Sequence, residues 1–169
     1  MVRVIYGVWN GVVHDNRHRN LFEIPEAPGL KGFEVFNQGN PIKAFIGDHG
    51  FYVFASGVSL VDAFWRFMAK AASESCGKCS PCRIGTHILQ DELYALRNGD
   101  ADASRWDVVE TLARQVHDTA LCDLGRTSMR ALLAALEHFR DELLAETGHR
   151  APVQHAMHYV TAPCIEACP

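Results

Sequence analysis

The sequence predicts an α+β fold in which a short strand-rich N-terminal segment precedes a four-helix bundle. Two observations predict it: short apolar runs separated by turn residues before residue 57, and a helical spacing of apolar residues after it. The length of 169 residues and the hydrophobic content of 48% allow one packed core. We expect a strand-rich segment over 1–57, a helical domain over 58–147 and a tail or linker over 148–169.

The N-terminal segment contains four short runs rich in Val, Ile, Phe and Tyr. Gly, Asn, Pro and a His-Gly pair separate these runs, and such residues mark the turns between strands. The runs are RVIYGVW, GFEVF, IKAFI and FYVFA. Each is predicted to form a short strand.

The first predicted helix follows Ser59. Ser59 and Asp62 have the spacing of a capping pair, in which a side chain accepts a backbone N–H of the first turn. An apolar stripe at helical spacing follows, typical of a helix that packs against a core. The stripe comprises Leu60, Val61, Phe64, Trp65, Phe67, Met68, Ala71 and Ala72.

Three further helices complete the predicted bundle. The second runs from about Gly85 to Arg97, and the third begins at Ser104. The fourth is one long helix that Thr127 or Ser128 caps and Gly148 stops. Short links between four amphipathic helices are typical of a small bundle.

Composition limits the function classes. A net charge of −4 and a pI near 6.1 give no sign of a nucleic-acid binder. No stretch approaches the roughly 20 apolar residues of a membrane span, and the N-terminus lacks the pattern of a signal peptide. We therefore expect a cytoplasmic protein. In that reducing compartment, clustered cysteines are more often metal ligands or redox groups than disulfides.

The segment SESCGKCSPCRIGT carries the strongest chemical signal. Cys76, Cys79 and Cys82 form a CxxCxxC motif, and Cys122 lies in the link before the last predicted helix. Three thiolates from one loop and a fourth from a distant segment are typical of a [4Fe-4S] site. We therefore predict that the helical bundle carries an iron–sulfur cluster.

A zinc site is the alternative that the spacing leaves open. Four thiolates around zinc normally come from two separated CxxC pairs, whereas here a third cysteine follows directly. Lys78 and Arg83 lie beside the cysteines and would place positive charge near a negatively charged cluster. Either residue could equally be a solvated surface charge. A structural zinc-binding interaction subunit thus remains an alternative.

Residues 47–146 resemble a known family. The segments ESCGKCSPCRIGT, DTALCDLG and ALEHFRDE are similar to the C-terminal iron–sulfur domain of the NADH-oxidising flavoprotein subunit of respiratory complex I. Similar domains occur in NAD-linked formate dehydrogenases and hydrogenases. The resemblance implies that Cys76, Cys79, Cys82 and Cys122 bind one [4Fe-4S] cluster. Two departures are Ile84, where Glu is usual, and Asp123, where Gly is common.

The same resemblance implies a function in electron transfer. The cluster would relay single electrons between a flavin site and other redox centres of an NAD(P)-linked oxidoreductase, without a catalytic residue in this chain. FMN or FAD would lie on a partner or on another part of the polypeptide. The expected partners are a flavin- and NAD(P)-binding subunit or domain and further iron–sulfur subunits. A cluster segment of a longer single-chain flavin-dependent oxidoreductase is a further alternative.

The C-terminal segment TAPCIEACP contains Cys164 and Cys168 in a CxxxCP pattern. This is the closing half of a ferredoxin-type motif. It resembles the start of the iron–sulfur segment in the small subunit of glutamate synthase. Two cysteines cannot complete a cluster alone, so a second cluster would need other ligands. Two free thiols in a tail are the alternative.

Overall fold

The computed structural model describes residues 3–24, 42–100, 102–148 and 158–159. The predicted strand at residues 32–36 lies outside them. In the described part of the chain no helix is long and apolar enough to cross a membrane.

A five-stranded sheet forms one side of the described structure. Its strands are β1 (Tyr6–Trp9), β2 (Val12–Asp15), β3 (Ala44–Gly47), β4 (Gly50–Val53) and β5 (His158–Tyr159). The spatial order is β2-β1-β4-β3-β5. The first four strands pair antiparallel, and β5 pairs parallel with β3. The predicted strand-rich N-terminal segment is therefore confirmed.

The turn between β1 and β2 explains why the N-terminal run becomes a hairpin. Asn10 and Gly11 have φ angles of 50° and 75°. Such left-handed angles at both central residues suit a two-residue hairpin, and Asn-Gly is the pair that adopts them most readily. The turn sets the register in which Val8 lies opposite Val13.

Five helices follow the sheet. They are α1 (Leu60–Glu74), α2 (Ser80–Arg97), α3 (Ser104–Thr119), α4 (Asp123–His138) and α5 (Arg140–Glu146). The predicted α+β class, with strands first and a helical bundle after them, is confirmed. The Ser59 hydroxyl accepts the amide of Asp62 at 3.1 Å, as the capping pair predicted.

Two helix boundaries differ from the prediction. The helix α2 begins at Ser80, before Gly85, because Pro81 in its first turn is compatible with a helix start. The predicted last helix begins earlier, at Asp123, and is interrupted at Phe139, where φ is −133° and ψ is 33°. Neither Gly nor Pro marks this interruption, so the sequence pattern alone did not reveal it.

Aromatic packing explains the interruption at Phe139. The Phe139 side chain is fully buried, and its ring centroid lies 5.1 Å from that of Tyr6 and 5.8 Å from that of Phe51. Phe51 in turn contacts Phe64 of α1 at 5.7 Å. These rings join the sheet to the bundle, so tertiary packing at this point overrides the continuous helical pattern.

A buried carboxylate joins α1 to α2. The Asp62 side chain is completely buried and accepts hydrogen bonds from the guanidinium groups of Arg66 and Arg97. The Arg97 guanidinium also lies 4.6 Å above the ring of Trp65. Because breaking such a buried pair leaves an uncompensated charge, these contacts fix the relative position of the two helices.

Candidate metal centre

Two helix starts position the predicted ligands. Cys79 is the N-terminal cap residue of α2, and Cys122 is that of α4. Neither side chain makes a capping hydrogen bond to its own helix. Because α2 begins at Ser80, Cys82 lies in its first turn and is held by helical geometry.

The fold brings the four cysteines together. Cys79, Cys82 and Leu124 form a small buried cluster, and Cys122 packs against it. Cys76 is exposed and interacts electrostatically with Cys82. The α1–α2 loop and the α3–α4 link, which are far apart in the sequence, thus converge on one site.

The thiol of Cys82 is influenced by each of the other three cysteines. Burial raises its pKa, and the thiols of Cys79, Cys122 and Cys76 raise it further because like charges repel. The Ser75 hydroxyl, 3.3 Å from the sulfur, lowers the pKa. Together the four thiols form a soft donor set, which suits iron–sulfur or zinc chemistry.

Helix dipoles complement the negative charge of such a donor set. The N-terminal cap residue of each of the helices α2 and α4 is a cysteine of the site. The N-terminal end of a helix carries a partial positive charge, which stabilises nearby thiolates. Two helices therefore contribute favourable electrostatics at the same place.

Two glycines allow the close approach of the cysteine segments. Gly77 has a φ of +74°, which a residue with a side chain rarely adopts. A Cβ atom at Gly125 would lie 2.4 Å from the Cβ of Ala120 and 3.6 Å from that of Cys82. Gly125 was not predicted from the sequence, because its importance depends on which residues α4 contacts.

The basic residues near the site have different environments. The Arg83 guanidinium donates to the carbonyl of Gly77 at 3.0 Å, inside the CxxCxxC loop. Lys78 is exposed in the same loop. The Arg126 guanidinium donates to the carbonyl of Ala120 at 2.9 Å, in the link that carries Cys122. Arg126 was not predicted, although it follows Cys122 at the interval that separates Arg83 from Cys79.

The donor chemistry fits a cluster held by four thiolates. The first three lie on one loop and helix start and the fourth lies at a second helix start, an arrangement that resembles the three-plus-one pattern of a [4Fe-4S] site. Among the described residues, no group of three or more His, Cys, Asp or Glu side chains is already arranged to hold a metal ion. Cys164 and Cys168 lie outside the described residues.

A comparison with protein families decides the class of this site. The profile of the NADH-ubiquinone oxidoreductase-F iron-sulfur binding region matches residues 62–146, half of the chain. The chain belongs to this family. The match extends from the first turn of α1 to the end of α5, and it confirms the predicted [4Fe-4S] cofactor and the prediction of an electron-transfer module. It also favours iron–sulfur over the zinc alternative that the spacing left open.

Curated relatives of the oxidoreductase-F iron–sulfur family are subunits of larger enzymes. The beta subunit of the NADP(+)-dependent formate dehydrogenase of Moorella thermoacetica is 32% identical over 85% of this chain and 19% of the relative. The beta subunit of the NADPH-Fe(3+) oxidoreductase of Geobacter sulfurreducens is 29% identical over all of this chain and 25% of the relative. The chain therefore spans a quarter or less of these relatives.

A solved structure supports the same assignment. A chain of an NAD+-reducing [NiFe]-hydrogenase in its H2-reduced state matches 57% of this chain and 17% of its own length. The TM-score is 0.53 and the sequence identity is 25%. The expected likeness to complex I, formate dehydrogenase and hydrogenase subunits is thus confirmed.

Proposed function

We propose that this chain relays single electrons through one [4Fe-4S] cluster held by Cys76, Cys79, Cys82 and Cys122. The observation that carries the proposal is the convergence of these four cysteines on two helix starts within the family-matched region. When bound, such a cluster supplies reversible one-electron chemistry.

The protein residues perform three tasks at this site. The thiolates would hold the iron, and the two helix N-termini would stabilise the negative charge that reduction increases. Leu124 and the buried Cys79 and Cys82 limit contact with water on the inner side. The exposed Cys76 leaves the outer side of the site accessible, which suits electron exchange with a neighbouring redox centre.

The proposed context is a multi-component NAD(P)-linked oxidoreductase. The relatives are subunits of a formate dehydrogenase and an NADPH-Fe(3+) oxidoreductase, which supports the proposal. A flavin- and NAD(P)-binding subunit or domain would deliver or accept the electrons, and further iron–sulfur subunits would pass them on. We place this activity in the cytoplasm, because clustered cysteines that bind a metal cluster suit a reducing compartment.

The C-terminal segment adds a separate proposal. Cys164 and Cys168 would contribute to a second iron–sulfur cluster together with ligands from outside their CxxxCP pattern.

Lys78 and Arg83 would act near the first cluster through their positive charge.

Replacing Cys122 by serine tests the fourth ligand. The full-length Cys122→Ser chain, purified without oxygen, is expected to lose the electron paramagnetic resonance signal of the reduced [4Fe-4S] cluster in the bundle. A Cys164→Ser/Cys168→Ser chain is the matched control and should keep that signal. An unchanged signal and iron content in Cys122→Ser would remove Cys122 from the site.

A further inference from the structure

Arg83 and Arg126 occupy equivalent positions in the two cysteine segments. Each is the fourth residue after a cysteine that caps a helix, Cys79 for α2 and Cys122 for α4. The backbone amide of Arg83 donates to the carbonyl of Cys79 at 3.0 Å, and that of Arg126 donates to the carbonyl of Cys122 at 3.4 Å. The two arginines therefore occupy matching positions in the first turns of their helices.

The two side chains also donate hydrogen bonds to backbone carbonyls at matching positions. The Arg83 guanidinium donates to the carbonyl of Gly77 at 3.0 Å, and the Arg126 guanidinium donates to that of Ala120 at 2.9 Å. Each acceptor lies two residues before the capping cysteine. A guanidinium thus bridges the helix to the segment that leads into the cysteine, once on each side of the site.

The charges of both arginines lack a carboxylate partner in the described part of the chain. Other arginines of the structure do pair with Asp or Glu; these are Arg17, Arg66, Arg97, Arg105, Arg114 and Arg140. A paired guanidinium contributes little net charge to its surroundings. Arg83 and Arg126 instead place a positive charge beside the cysteine segments without a described carboxylate oxygen within 4 Å.

We propose that Arg126 is a positioning residue of the cluster site and the counterpart of Arg83. It holds the α3–α4 link in the conformation that presents Cys122, and it keeps a positive charge on that side of the site. This inference rests on the proposed function. Reduction by one electron from a reduced flavin adds one negative charge to the site, so a fixed guanidinium stabilises the reduced state more than the oxidised state.

Redox titration separates the charge of Arg126 from a purely structural role. In the full-length Arg126→Gln chain, we expect the equilibrium between oxidised and reduced cluster to shift toward the oxidised form by about threefold to tenfold. A tenfold shift corresponds to a midpoint potential about 59 mV lower for a one-electron couple. Arg130→Gln is the matched control, because Arg130 lies one turn further along α4 and is also exposed.

The conservative variant tests the charge itself. Arg126→Lys keeps the positive charge and should restore a midpoint potential close to that of the unchanged chain. Arg126→Ala removes both charge and hydrogen bond, so it should also lower the iron content. A potential in Arg126→Gln that equals that of Arg130→Gln would overturn the inference.

The outcome is distinguishable from a failure of the proposed function. If the unchanged chain shows no [4Fe-4S] spectrum, the proposed function itself is wrong. If the unchanged chain shows the spectrum and Arg126→Gln leaves its potential unaltered, only the role of Arg126 is wrong.

Discussion

At Gly125 the first turn of α4 passes close to Ala120, the residue that follows α3. An added Cβ atom would lie 2.4 Å from the Cβ of Ala120, which is too close for two carbon atoms. We expect Gly125→Ala to lower the free energy of unfolding by about 1–3 kcal/mol, the usual cost of overpacking a core. We also expect Gly125→Ala to reduce the iron content. The start of α4 must move away from Ala120 to make room for the added methyl group, and this movement would displace Cys122 from Cys82. Denaturation and iron analysis measure both effects.

A compensating substitution provides the control for Gly125. In Ala120→Gly/Gly125→Ala the closest pair of atoms is removed, and the remaining contact with Cys82 at 3.6 Å is ordinary. The double variant should therefore regain most of the lost stability and iron. Equal losses in the single and double variants would show that steric crowding at Ala120 is not the cause.

The sequence was most informative at the cysteines. Their spacing was enough to predict Cys76, Cys79, Cys82 and Cys122 as candidate ligands, because a local motif places three of them in one loop. Gly125 could not be predicted in the same way. Its role depends on a close approach between two helices, and no pattern within α4 records the position of Ala120.

At the scale of elements, α5 supports the start of α1. The Glu146 carboxylate accepts the backbone amides of Leu60 at 2.8 Å and Val61 at 3.3 Å, and it accepts the hydroxyl of Ser59. These amides are among the groups that a helix start leaves without internal partners. Glu146 therefore completes a cap that Ser59 begins, and the contact ties the last helix to the first.

The pKa of Glu146 makes this contact dependent on pH. Burial raises the pKa above its ordinary value of 4.5, while the hydrogen bonds from Ser59, Leu60 and Val61 lower it. A carboxyl whose pKa is raised in the folded state stabilises the fold most below its unfolded pKa. That contribution is lost as the pH rises through the folded pKa.

Glu146→Gln tests this pH dependence. We expect the stability of the unchanged chain relative to Glu146→Gln to fall as the pH rises from 4.5 toward neutrality. Urea denaturation at several pH values, followed by circular dichroism, measures the difference. The Glu137→Gln variant, at an exposed position, is the control. Its stability difference from the unchanged chain should vary less with pH. If the stability difference from the unchanged chain varied with pH to the same extent in both variants, the assigned role of Glu146 would be contradicted.

The sequence predicted the helices of the bundle better than their ends. The Ser59–Asp62 cap is local, and its spacing was sufficient to predict it. The contribution of Glu146 is not local, because the residue belongs to a helix at the other end of the bundle. The interruption at Phe139 was also missed, since it results from packing against the sheet.

At the scale of the whole molecule, Phe139 joins the sheet to the bundle. Its ring contacts Tyr6 and Phe51, and the guanidinium of Arg17 lies 5.1 Å from the ring centroid. We expect Phe139→Ala to lower the free energy of unfolding by about 3–5 kcal/mol, the usual cost of removing a large buried aromatic side chain. Chemical denaturation of the full chain measures this loss.

Phe22→Ala is the control for the removal of an aromatic ring. Phe22 is 90% exposed, so its truncation should change stability by less than about 1 kcal/mol. Similar losses in the two variants would mean that the aromatic contacts do not hold the sheet against the bundle.

The cluster site itself is a property of the whole fold. Cys76, Cys79 and Cys82 come from one loop and helix start, whereas Cys122 lies beyond α2 and α3 in the chain and is brought to Cys79 and Cys82 by the fold. The four candidate ligands could therefore be predicted from the sequence, whereas the folded chain was needed to show that Cys122 packs against Cys79 and Cys82. This dependence explains why substitutions at Gly125 are expected to affect both folding and iron content.

Metal and sulfide analysis of the chain purified without oxygen tests the central claim most directly. In the Cys164→Ser/Cys168→Ser background, which isolates the bundle, we predict about four iron atoms and about four acid-labile sulfides per chain. Mössbauer spectra should show the iron as one [4Fe-4S] cluster. One zinc ion without iron or sulfide in that chain would contradict the account.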